Sequence, residues 1–269
     1  MNQSKGACPL NDQFSPIVLM YHGILSGTSP LIPPNRGTGA EIYYISTDDF
    51  DAQMKWLKDN GYSPALFDNT RVLLQPKPVM ITFDDGEMNN YKEALPVLNK
   101  YGWKAYFFII IKRIGTEGYM GWKELKELLR SGMVIGSHGL THEILTNLLD
   151  SQMEEELRAS KQNLEVNLGI PIDTLSIPRG FCNDKVIETA YRLGYKTIFI
   201  SERPAGLKSG CLSRIAVKSG WSMKRFDMAL RGKIPLLDRV GDKTIKALKL
   251  TLRETGYNWL RNILIKIVR

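Results

Sequence analysis

Six apolar runs, each six to eight residues long and rich in β-branched or aromatic side chains, recur along the chain. They are PIVLMYH (16 to 22), PVMITF (78 to 83), KAYFFIII (104 to 111), MVIGSH (133 to 138), DTLSIP (173 to 178) and YKTIFI (195 to 200). Near-continuous apolar runs, rather than strict alternation, predict strands buried on both faces. The segments between them have helical spacing. Thr47, Asp48 and Asp49 open a helix that carries Phe50, Met54 and Leu57 inward, and Asn60-Gly61 stops it. Further helices are predicted over 90 to 101, 122 to 131, 150 to 168 and 184 to 193. Strands alternating with helices call for a parallel α/β sheet with helical crossovers, either open or closed into a barrel, and periodicity does not choose between these. Residues 23 to 45, rich in Gly, Pro and Ser, read as a long loop, and such loops in compact domains are often functional.

Charge divides the chain in two. Of the net +8, seven positive charges fall in residues 231 to 269, where ten Lys or Arg face three Asp or Glu. The nearly neutral body argues against nucleic acid as a partner, since a nucleic-acid fold spreads its basic residues over its body. From Lys243 onward, Ile245, Leu248, Leu252, Trp259, Leu260, Ile263 and Ile267 recur at helical intervals with Lys246, Lys249, Arg253, Arg261 and Lys266 between them. The expected organisation is a main domain over 1–231 and a basic amphipathic C-terminal helix within 232–269. That helix either packs on the domain or, over 243–269, contacts an anionic membrane surface peripherally. No uncharged apolar run reaches the length of a membrane span, and MNQSKGACPL lacks the basic-then-apolar pattern of a signal peptide. The expectation is a cytoplasmic protein, in peripheral contact with the inner membrane surface if the tail binds lipid. Cys8, Cys182 and Cys211 are far apart and form no C-x-x-C pair, so reduced thiols are expected rather than a zinc ribbon or a disulfide framework.

The chemistry gathers where predicted strands end. ITFDDGEMNN places Asp84 and Asp85 after a strand and before Gly86. Such a pair can cap the next helix, or divide labour between binding a metal and accepting a proton. IGSHGLTHEILT sets His138 and His142 four residues apart, a spacing that on a helical turn brings both rings to one side. The third histidine, His22, ends the first strand in VLMYHGI. Active sites of α/β folds lie at strand C-termini. Two imidazoles and one carboxylate suit a borderline cation such as Zn²⁺ with a position left for water, and a spare carboxylate and imidazole complete an amide hydrolase. Trp122 and Trp221 are the aromatic residues nearest these motifs; core packing is the default reading for both, and Trp221 is the better candidate for stacking on a sugar.

TFDDG (82 to 86) and SHGLTH (137 to 142) resemble the first two motifs of the polysaccharide deacetylases of the NodB-homology type, carbohydrate esterase family 4. GWKELKELLRSGMVIGSH (121 to 138) and PRGFCNDKVIETAYRLGYKTIF (178 to 199) extend the resemblance, which covers roughly residues 16 to 231. It implies a distorted (β/α) barrel with fewer than eight regular units, and metal-dependent removal of acetyl groups from N-acetylated sugars of a glycan, with release of acetate. By the resemblance, Asp84 would be the general base, Asp85, His138 and His142 the metal ligands, and the backbone N–H of Arg179 an oxyanion donor. The metal would be a divalent cation, Zn²⁺ first, with Co²⁺ or Ni²⁺ as alternatives. The usual histidine donor lies in a C-terminal motif, and no histidine follows His142. YHGI (21 to 24) resembles the permuted form of that motif in poly-N-acetylglucosamine deacetylases, which makes His22 the general acid. The family arginine that pairs with the base is absent at Leu175 and Ser176, so either Arg179 pairs with Asp84 from the other side or the base lacks an arginine partner. Gly139 stands where the family usually has a hydroxyl that braces the histidine loop. Cleavage of an O-acetyl ester or another small amide is an alternative for the same site. A non-catalytic glycan-binding or membrane-associated scaffold is another, although it would have no chemical need for Asp84, Asp85, His138 and His142 together. The sequence does not set the oligomeric state.

Overall fold

The computed structural model describes residues 16–27, 32–34, 41–66, 76–201 and 211–233. In chain order the regular elements begin with β1 (Ile17–Tyr21), β2 (Ile24–Leu25), β3 (Ile45–Ser46), α1 (Thr47–Asp59), β4 (Ser63–Pro64) and β5 (Pro78–Phe83). They continue with α2 (Leu95–Tyr101), β6 (Ala105–Ile109), α3 (Trp122–Arg130), β7 (Val134–Ser137), α4 (Asp150–Leu168) and β8 (Thr174–Ser176). The last are α5 (Asp184–Arg192), β9 (Thr197–Ile200), β10 (Leu212–Ser213), β11 (Ile215–Ala216) and α6 (Met223–Leu230). All six strands predicted from apolar runs form. So do the predicted helices, with one local change: 90 to 101 begins as a π-helical turn over Asn90–Ala94, and regular α-helix starts at Leu95, just before Pro96, which has no N–H to bond back to the preceding turn.

Local chemistry sets the helix ends. Ser46 Oγ accepts the N–H of Asp49 at 3.0 Å, and Asp48 and Asp49 face the positive end of the α1 dipole. Asn183 and Ser222 cap α5 and α6 in the same way. α2 and α4 each stop at a left-handed glycine, Gly102 and Gly169.

The main sheet is parallel throughout and runs in the order β10-β9-β8-β7-β6-β5-β1-β11, with β4 pairing the start of β5. Its two ends are consecutive in the chain: β10 pairs with β9 and β11 with β1, and only Arg214 separates them. This one segment therefore bridges the edges and closes the sheet into a distorted (β/α) barrel with fewer than eight regular units, as the resemblance implied. One face of the strands packs Leu19, Ile81 and Phe107 against helix residues such as Phe50 and Leu125 in the main core. The other face brings Val18, Met80, Tyr106, Phe108, Phe199 and Leu212 together inside the barrel. Among the described residues no helix is long and apolar enough to cross a membrane. Cys182 and Cys211 are free thiols; Cys8 and the predicted tail helix lie outside the described residues.

Candidate active site

Strand alternation places Asp84 one residue beyond β5, on the face of Met80 and Thr82, so its carboxylate enters the barrel. Asp84 is 3% exposed. The next residue, Asp85, takes the left-handed conformation at φ 76°, which aspartate tolerates better than most residues. The turn sends its carboxylate toward the histidines: Asp85 Oδ1 lies 3.5 Å from both His138 Nε2 and His142 Nε2.

The two histidines do not share a helical turn, as their spacing had suggested. His138 follows β7 directly, and residues 139 to 142 form an irregular loop in which Gly139 has φ 80° and His142 φ 73°. That pair of left-handed residues turns the chain back so that the ring centroids come within 4.8 Å. His138 Nδ1 meets the carbonyl of Ser176 at 2.8 Å, where it must be the protonated nitrogen, so Nε2 presents a lone pair toward Asp85. Burial is the main influence on His142 and, against the opposing pull of Asp85, brings its pKa down to about 3, leaving the imidazole neutral.

These three side chains form a group able to hold a metal ion, with one donor atom from each within 4.8 Å of the others. The 3.5 Å separations of Asp85 Oδ1 from both imidazoles match the roughly 3.4 Å between two ligands that each lie about 2.1 Å from a tetrahedral Zn²⁺. The donor set fits such a cation: all three atoms are buried or nearly so, and both imidazoles turn Nε2 to one carboxylate oxygen.

Asp84 is paired with Arg214. The guanidinium donates from both terminal nitrogens, at 2.7 Å to Oδ1 and 2.8 Å to Oδ2, and Ser176 Oγ adds a 3.3 Å contact. Burial alone would raise the Asp84 pKa; the charge of Arg214, with its hydrogen bonds and the electrostatic influence of His138 and His22, more than offsets it and brings it down to about 2. His22 follows β1, whose parallel pairing with β5 sets Tyr21 level with Phe83, so His22 and Asp84 leave neighbouring strands at the same height. The His22 ring lies against Tyr43, at 5.0 Å between centroids, and its carbonyl accepts a hydrogen bond from Asn90 Nδ2. Gly23 is required there, because a Cβ would sit 2.0 Å from the Tyr44 ring.

A family model, Polysaccharide deacetylase, matches residues 72–198. YxkH of Bacillus subtilis (strain 168), whose name assigns it to that family, is 33% identical over 218 residues, spanning 78% of this chain and 74% of its own. The chain belongs to the polysaccharide deacetylase family. It is also similar to the poly-beta-1,6-N-acetyl-D-glucosamine N-deacetylase of Staphylococcus aureus (strain MRSA252), with 27% identity over 182 residues that cover 61% of this chain and 63% of the relative. Among solved structures, the polysaccharide deacetylase BC0361 of Bacillus cereus aligns with a TM-score of 0.69 and 29% identity, over 80% of this chain and 69% of that one.

As a polysaccharide deacetylase, this chain brings Asp84, Asp85, His138 and His142 together, with His22 beside Asp84. Arg179 lies in the turn Pro178–Gly180 with φ 57°, and its charge is felt at His142; it is not among the partners of Asp84. The arginine missing from Leu175 and Ser176 is supplied by Arg214 from the far edge of the barrel, and Ser176 hydrogen-bonds both Arg214 and Asp84. Sequence reasoning missed Arg214. A signal was present in CLSRIAV (211 to 217), where one charge interrupts an apolar stretch. Trp122 and Trp221 are half-buried and pack on the main core, and the Arg225 guanidinium lies 5.2 Å from the Trp221 ring centroid.

Proposed function

We propose that this polysaccharide deacetylase is a divalent-cation-dependent enzyme that removes acetyl groups from N-acetylglucosamine units of a glycan. The observation that carries the reading is the convergence of Asp85, His138 and His142 beside an ion-paired Asp84. The substrate class is supported by the relative in Staphylococcus aureus, whose name specifies poly-beta-1,6-N-acetyl-D-glucosamine. Asp85, His138 and His142 would hold the cation, Zn²⁺ first, with Co²⁺ or Ni²⁺ as alternatives that the same imidazole and carboxylate donors accept. When bound, such a cation lowers the pKa of water and polarises a carbonyl oxygen.

The chain's own residues would do the rest. Asp84, held ionised by Arg214, accepts a proton from the attacking water as its oxygen bonds to the acetyl carbon. The backbone N–H of Arg179 donates to the developing oxyanion. His22 passes a proton to the sugar nitrogen as the C–N bond breaks, releasing acetate and a free amine. The deciding experiment follows acetate release from β-1,6- and β-1,4-linked N-acetylglucosamine oligomers by chelator-treated protein, with and without Zn²⁺ or Co²⁺. Release that depends on the cation supports the reading. Release that is indifferent to both cation and chelator overturns it.

We also propose that residues 243–269, outside the described residues, contact anionic lipid through the basic amphipathic pattern of their sequence. Co-sedimentation with phosphatidylserine vesicles tests this. Undiminished binding by Lys246→Glu, Lys249→Glu, Arg253→Glu together would sink it.

A further inference from the structure

The loop carrying both histidines is gripped from outside the cation site by one side chain of α4. Glu156 is 7% exposed. Its Oε2 accepts the N–H groups of Leu140 (2.9 Å) and Thr141 (3.0 Å), and its Oε1 accepts the hydroxyl of Thr141 at 2.6 Å. Among the described residues no lysine or arginine pairs with this side chain, and its hydrogen-bond partners are all in the histidine loop. From the opposite side, the N–H groups of Ile111 and Lys112 donate to the carbonyls of Gly139 and Leu140 at 3.3 and 2.9 Å. One helical turn along α4, Ser160 Oγ meets Ser137 Oγ at 2.8 Å, and Ser137 Oγ in turn accepts the N–H of Gly139. The peptide units between His138 and His142 are thus pinned on both sides.

We propose that Glu156 is a positioning residue for the cation site, fixing the turn between His138 and His142 so that both imidazoles converge on Asp85. The proposal rests on the reading of Asp85, His138 and His142 as cation ligands. Its physical basis is the conformation of His142, whose φ of 73° is one that a histidine keeps only where its surroundings enforce it. With Gly139 offering no hydroxyl to brace the loop, Glu156 of α4 supplies the side-chain part of that enforcement. Without the Glu156 carboxylate the two main-chain donors lose their acceptor, and the loop can relax toward extended backbone, carrying His142 away from Asp85.

The test is cation affinity rather than turnover. Zn²⁺ binding to the full chain is measured by competition with a chromophoric chelator, and the Co²⁺ absorption spectrum reports the ligand geometry. Glu156→Leu removes both acceptor oxygens, leaves the N–H groups of Leu140 and Thr141 unpaired, and should weaken Zn²⁺ by roughly 10- to 100-fold, the range seen when groups supporting metal ligands are removed. Thr141→Val deletes one of the three hydrogen bonds, should weaken Zn²⁺ several-fold, and carries the test if Glu156→Leu does not fold. Glu165→Gln is the control. Glu165, on the same helix, accepts the N–H of Ile172 at 3.0 Å and pairs with Lys161 at 2.9 Å, so its loss should lower stability and leave Zn²⁺ affinity unchanged. Wild-type affinity in both Glu156→Leu and Thr141→Val, or an equal fall in Glu165→Gln, overturns the positioning role. Failure of the unmodified protein to bind Zn²⁺ or Co²⁺ overturns the cation reading itself, a result distinct from either.

Discussion

Arg214 stands at the closure of the barrel, between the strands that pair with β9 and β1, and its side chain holds Asp84: its terminal nitrogens lie 2.7 and 2.8 Å from the two carboxylate oxygens. Burial would raise the Asp84 pKa, yet Arg214, with His138 and His22, holds it at about 2 against an ordinary 3.8. A carboxyl with a lowered folded-state pKa stabilises the fold fully above its unfolded value. That contribution, about 2 kcal/mol by linkage, is lost as pH falls from about 4 through 2. Arg214→Met leaves a buried carboxylate without its cation, at a cost of about 3–5 kcal/mol. Asp84 should then take up a proton at higher pH. The variant is expected to unfold at lower urea concentration at pH 7, and the acidic limb of its kcat/KM profile should move upward. A profile that superimposes on wild type would show that Arg214 does not hold the base.

Asp84 and Asp85 are adjacent yet should fail differently. Asp84→Asn keeps the Asp85, His138 and His142 donors intact, so Zn²⁺ affinity should stay within several-fold of wild type while acetate release falls on the order of 10²- to 10⁴-fold, the range for loss of a general base. Asp85→Ala and His142→Ala should lose the cation as well as the activity. Equilibrium dialysis alongside an acetate assay separates the two behaviours, and loss of Zn²⁺ in Asp84→Asn would move that residue from base to ligand.

The residues that sequence could assign and those it could not differ in how they reach the site. Parallel strands covered on both faces read as continuous apolar runs, so β1 and β5 to β9 were legible, and with them the strand-end positions of His22, Asp84, Asp85 and His138. β10 and β11 have two residues each, too few for any periodicity, and so the strand segment that carries Arg214 between them was invisible. Its partner lies 130 positions away, and no spacing rule links residues across a barrel closure. The histidine spacing pointed to two rings that do come together, but by another route: a loop with two left-handed residues, rather than a helical turn, brings them to one side.

Gly139 was read as a missing hydroxyl, and its surroundings change that reading. Its φ is 80°, and a Cβ there would lie 3.1 Å from Pro178 Cγ and 3.4 Å from Glu156 Oε2. Gly139→Ser should therefore not restore a brace. It is expected to destabilise the fold by about 1–2 kcal/mol through the left-handed backbone alone, and to weaken Zn²⁺ by disturbing Glu156. Urea unfolding at unchanged m-value, with a Zn²⁺ titration, checks both. A more stable serine variant would show that the loop has room for the hydroxyl.

His22 and Asp84 leave adjacent parallel strands at the same height, which sets a carboxylate and an imidazole on neighbouring staves of one barrel. The proposed division of labour has a chemical signature. An amide nitrogen departs only once protonated, whereas p-nitrophenolate departs from its acetate ester unaided. If His22 supplies that proton, His22→Asn should lower acetate release from N-acetylglucosamine oligomers on the order of 10²- to 10⁴-fold. Hydrolysis of p-nitrophenyl acetate, which still needs the cation site and Asp84, should fall less than about tenfold because the proton donor is not required. Equal losses on both substrates would mean that His22 supports the geometry of the site rather than the leaving group. No loss on either would remove it from the reaction, leaving the leaving amine to draw its proton from Asp84, which has just received one from the attacking water.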